Sequence, residues 1–83
     1  MLVRKETFLG VWISFAVVLI YDNECITRFD NAHGFPHRDV LGKNNGWIRK
    51  ERCLKVVLKE AFEDAIRDTQ THRRAYLDFY LQN

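Results

Sequence analysis

The chain has 83 residues, 47% hydrophobic, 29% charged and 13% aromatic, a length that holds one small core and no second domain. One proline and four glycines exclude a collagen-like or Pro/Gly-rich disordered chain. Two cysteines, Cys25 and Cys53, are too few for a disulfide scaffold and match neither a CxxC pair nor a zinc-finger spacing, so both are expected as reduced, part-buried thiols. The net charge of +2 is small but unevenly spread: residues 43–59 carry six basic side chains against Glu51 alone, and the segments on either side are net acidic.

Arg4 and Lys5 precede fifteen uncharged residues, Thr7 to Tyr21. This run is shorter than the ~20 residues a helix needs to cross a bilayer, and it ends in Leu-Ile-Tyr-Asp-Asn-Glu rather than at a small-residue cleavage site. Its odd positions, from Leu9 to Tyr21, are all large and apolar, which predicts a strand over about 8–21 with one core face. Asp22-Asn23 reads as a tight turn returning into a second strand over 25–30, so the two form a hairpin. A loop marked by Gly34 and Pro36 leads to a third strand over 37–41. The Gly42–Gly46 turn leads to a fourth over 47–53, with Arg49 and Glu51 expected on the face of Trp47 and Lys50 and Arg52 on that of Ile48. No face of this last strand is purely apolar, which predicts a sheet edge.

From Leu54 to Leu81 apolar residues recur every three or four positions, predicting a helix with His72 on its inner stripe. At 1.5 Å per residue it would run ~40 Å, longer than the ~25 Å diameter of a globule this size. It is therefore expected either to break near Thr69–His72 or to carry Tyr76, Phe79 and Tyr80 beyond the core, onto a second copy or another partner. The fold class is α+β: a four-stranded, mainly antiparallel sheet of two hairpins, covered on one face by the C-terminal helix.

Arg28–Asp39 holds the densest set of titratable groups, on a loop fixed between strands, where sites commonly lie. Three readings compete. His33 and His37 could act as general base and acid in metal-independent RNA cleavage, with Asp30 or Asp39 orienting a ring and Arg38 or Arg28 stabilising phosphoryl charge. Asp30, His33, His37 and Asp39 could instead ligate a metal, although the set lacks thiolates and is poor for structural zinc. In the third reading the segment is structural: Asp30-Asn31 caps a turn and the histidines bond loop backbone.

The run Arg28-Phe29-Asp30-Asn31-Ala32-His33 followed by Phe35-Pro36-His37 resembles an element of the TumE-type toxins of prokaryotic toxin–antitoxin modules. It is also similar to small archaeal proteins bearing Asp-Asn-Ala-His-Gly-x-x-His. The resemblance implies a small cytoplasmic toxin acting on RNA or the translation apparatus, paired with a DNA-binding antitoxin, and carries Asp30, Asn31, His33 and His37 over as site positions.

Arg28, Lys43, Arg49, Lys50, Arg52 and Lys55, with Trp47 for stacking, supply the phosphate-neutralising charge an RNA binder needs; a lysine-loaded, solvated edge strand is the alternative. The expected function is a toxin-like RNA-binding protein, with ribonuclease chemistry on His33, His37, Asp30 and Arg38 and no cofactor or metal. The alternative is a non-enzymatic assembly protein, dimeric through the helix end, with a structural His loop.

Overall fold

The computed structural model describes residues 1–83. Strands β1 (Leu2–Phe8), β2 (Val11–Tyr21), β3 (Glu24–Asp30), β4 (His37–Gly42) and β5 (Gly46–Arg52) precede one helix, α1 (Leu58–Gln82). The strands pair antiparallel in sequence order, a five-stranded meander. The α+β class stands, but the sheet has five strands where the sequence suggested four. The long apolar run divides because Leu9 (φ 50°) and Gly10 (φ 79°) both take left-handed backbone, which a two-residue hairpin turn requires. A leucine rarely adopts that region, so the turn carries a weak sequence signal. Asp22 (φ 52°) and Asn23 (φ 63°) make the expected turn between β2 and β3.

Three bulges set the faces. Glu6 pairs with Ser14 and Thr7 with Trp12, leaving Ile13 as the extra residue; Ile26 and Ile48 are the corresponding extra residues of β3 and β5. Each bulge shifts the alternation by one. Trp12 thereby reaches the helix side, 5.2 Å from the Phe62 ring centroid. Trp47, opposite Leu41, moves to the face of Lys50 and Asp39, which corrects its expected place beside Arg49 and Glu51.

The core lies between α1 and the middle of the sheet: Phe15, Val17 and Phe29 pack against Ala61 and Ala65, with Trp12, Leu58, Phe62 and Ile66 around them. The two alanines let the helix approach closely, and the burial of five such side chains is the main favourable term in folding. The helix starts at Leu58 rather than Leu54, because residues 54–57 are exposed. It then runs unbroken for 25 residues, about 37 Å long, in a molecule of 42 × 21 × 21 Å. So it neither breaks nor overhangs: the molecule is elongated with it, and Tyr80 is only 7% exposed. The turn after β4 receives the helix end, Lys43 N–H donating to Tyr80 O and Asn45 N–H to Asn83 O, both at 2.9 Å, so carbonyls that a helix terminus otherwise leaves open are satisfied. His72 is exposed and pairs with Asp68 on the outer surface, not on the inner stripe. No helix is long and apolar enough to cross a membrane.

Candidate functional site

Residues opposite each other in neighbouring strands share a face. The pairing aligns Ala16, Asp30, His37 and Arg52 in one row and Val18, Arg28, Asp39 and Lys50 in the next, all on the face that α1 does not cover. Val17, Phe29, Arg38 and Glu51 form the corresponding row on the helix side.

On the open face His37 is the centre, with a side chain only 1% exposed. Its Nδ1 lies 3.0 Å from the Phe35 carbonyl oxygen, an acceptor only, so this nitrogen carries a proton. Its Nε2 then faces the Lys50 ammonium at 3.0 Å and Asp30 Oδ1 at 2.9 Å. Asp30 Oδ1 also accepts Ala32 N–H at 3.0 Å, and Arg28 Nε meets Oδ2 at 2.6 Å. Asp39 Oδ1 takes Lys50 at 3.4 Å and Trp47 Nε1–H at 3.4 Å. Phe35 and Pro36 close the site at the loop, the Phe35 ring tilted by 60° against the His37 ring at 5.4 Å and lying beneath the Arg52 guanidinium at 4.2 Å. Two carboxylates and two cations thus offset each other around a buried imidazole.

Asp30, His37 and Asp39 bring ligand atoms within 4.8 Å of one another, a spacing compatible with a cation. The Lys50 ammonium already lies against Nε2 and Asp39 and supplies that positive charge, so no metal site is assigned here. His33, which sequence reasoning placed beside His37 as catalyst or ligand, stands on the exposed 3-10 turn Ala32–Gly34 with φ 69°. Asn31 turns back on β2, its amide bonding Phe15 N–H and Ile13 O, both at 3.0 Å.

The structure separates the rest of the expected site. Arg38 lies on the helix face, where it donates to Glu51 at 2.9 Å and to Thr27 Oγ1 at 3.1 Å, with the Tyr76 ring 4.6 Å away. It is therefore no phosphate ligand for His37. Arg49 pairs with Glu51 on the same side, while Lys43 sits at the helix C-terminus and Lys55 beyond β5. Of the six expected nucleic-acid contacts, Arg28, Lys50 and Arg52 share the open face.

Sequence reasoning missed a second feature, a cleft of 620 Å³ between α1 and the β5 side of the sheet, with Arg38, Glu51, Asp68 and Tyr76 among its walls. Burial alone would raise the Glu51 carboxyl, but Arg38 and Arg49 outweigh it and hold it below its ordinary value. Burial and the bond to the Asp68 carboxylate push the Tyr76 phenol well up. These groups are saturated with one another, so the cleft is clasped rather than primed for chemistry. The only sequence signal for it was the parity of Arg38 and Glu51 across the β4–β5 hairpin.

The fold and this face define an α+β protein with a five-stranded meander, backed by one helix on one side and faced with cations on the other. The chain belongs to the family described as a domain of unknown function (DUF7718), whose model matches residues 4–83. No curated protein and no solved structure matches it significantly.

Proposed function

We propose that the protein binds single-stranded RNA across the open face of its sheet, as a toxin-like RNA-binding protein would. The observation that carries this reading is the polarity of the ion-pair network. Its carboxylates are inside, Asp30 at 6% and Asp39 at 19% side-chain exposure, and its cations outside, Arg28 at 44% and Lys50 at 29%. Arg52 and Trp47 are exposed beside them. Cations that track a backbone next to an aromatic on which a base can stack are what sequence-tolerant single-strand binding uses. His37 has almost no surface, and a general acid must reach the atom it protonates. The reading is therefore one of binding, and any ribonuclease step falls to the exposed His33. A cytoplasmic setting suits the reduced Cys25 and Cys53, and an antitoxin would act by masking this same face.

Fluorescence anisotropy with a labelled RNA of about 12 nucleotides, near the upper range for one such surface, tests the reading. Binding is expected to weaken with salt. Arg52→Glu should weaken it further and flatten the salt slope, each lost phosphate contact lowering the slope by about 0.7. Trp47→Ala should weaken binding with the slope unchanged. Failure of the wild-type chain to bind at low salt would sink the proposal. Incubating the same RNA with wild type and His33→Ala separates cleavage from binding.

A further inference from the structure

We infer that two copies of this chain join through β1, edge to edge, making one continuous ten-stranded antiparallel sheet. All seven residues of β1 are exposed, and its outer edge has no partner strand. The strand contains no proline, and the bulge beside it belongs to β2. Such an edge is a template for another strand. Both edge strands carry charge, but that of β1 is of both signs, Arg4 and Lys5 beside Glu6. By contrast, β5 presents Arg49, Lys50 and Arg52 with its one acid, Glu51, already paired to Arg38 and Arg49, and is bent by the bulge at Ile48, the devices that prevent pairing.

The side chains of β1 select the occupant and the register. Antiparallel pairing about a two-fold axis normal to the sheet keeps each face on its own side, so the strand must cross its copy at a single residue. Crossing at Arg4 would set Arg4 against itself and Leu2 against Glu6. Crossing at Glu6 would set Glu6 against itself and Arg4 against Phe8. Crossing at Lys5 places Arg4 opposite Glu6 of the second copy, and Leu2 opposite its Phe8, each twice by symmetry. Leu2 and Phe8 are 61% and 65% exposed in the single chain, so this register covers apolar surface that is otherwise left in water. Its one unfavourable pair is Lys5 with its own copy, and Lys5 Nζ is already drawn over the Trp12 ring of its own sheet, 5.2 Å from the centroid, a favourable position for an ammonium.

Sedimentation equilibrium of the full chain is expected to give twice the 9.9 kDa chain mass. Glu6→Arg puts like charges into both cross-strand pairs and should weaken the dimer about tenfold or more, with the circular dichroism spectrum unchanged. The swap Arg4→Glu with Glu6→Arg should restore it, which a merely misfolded variant could not do. A wild-type chain that stays monomeric at about 100 µM, an affinity below about 5.5 kcal/mol, overturns the inference. So does a dimer indifferent to Glu6→Arg, or one lost instead on Phe79→Asp at the helix end.

Discussion

His37 shows how far one residue can be from the role its neighbourhood suggests. Its side chain is 1% exposed, and Nε2 is placed among Asp30, Asp39 and Lys50, so the ring acts as a strut that fixes β3, β4, β5 and the loop before β4. Removing one member of a buried, paired network leaves the others uncompensated. We expect His37→Ala to cost about 3 kcal/mol in urea unfolding, and His33→Ala, on the exposed turn, to stay within about 0.5 kcal/mol. Equal stability of the two variants would refute the strut. The co-location of Asp30 and His37 was legible from a short loop between two strands. Alternation alone also separates Arg38 from His37, since successive strand residues point to opposite faces, so grouping both in one site overlooked a signal already in the chain. The place of Trp47 was not legible, because it depends on the bulge at Ile48, and β-branched residues fit a regular strand and a bulge alike.

At the scale of the element, α1 was legible in kind and in its end but not in its start. Leu54, Val56 and Val57 supply apolar residues before Leu58, yet all three are exposed, because helical spacing is only useful where a sheet lies beneath it. The turn after β1 escaped for a related reason, being built on a leucine with positive φ rather than on an Asn-Gly pair. Within α1 the inner stripe Ala61, Ala65, Thr69 has one imperfection: Thr69 Oγ1 is buried without a hydrogen-bond partner. An orphaned hydroxyl in an apolar setting costs free energy that an isosteric methyl does not. Thr69→Val should therefore stabilise the protein by about 1 kcal/mol, read as a higher urea midpoint at unchanged slope. The matched loss at the far end is Gly42→Ala, whose new Cβ would lie 2.7 Å from the Asn83 carbonyl carbon and push the helix end off the turn that caps it.

For the molecule as a whole, the far end of the helix is joined to the sheet by the backbone bonds from Lys43 and Asn45 and by one side-chain bond, from the Tyr80 hydroxyl to the Glu24 carboxylate. The bond to Glu24, with a smaller contribution from burial, pushes the Tyr80 phenol up from 10.0 to about 12. The folded state thus holds this proton more tightly than the unfolded chain, and linkage makes the difference a contribution to stability. The sign follows from the raised value: the contribution is complete below pH 10.0, falls as the unfolded phenol begins to ionise, and is gone once the pH has risen through about 12. Tyr80→Phe keeps the ring in its buried place and removes only the hydroxyl. The gap in urea midpoint between wild type and Tyr80→Phe should be constant on the acid side of that window and close across it. A gap that persists unchanged through the window would mean that the bond to Glu24 adds nothing to the hold that ring packing and the Lys43 and Asn45 backbone bonds already have on the helix end.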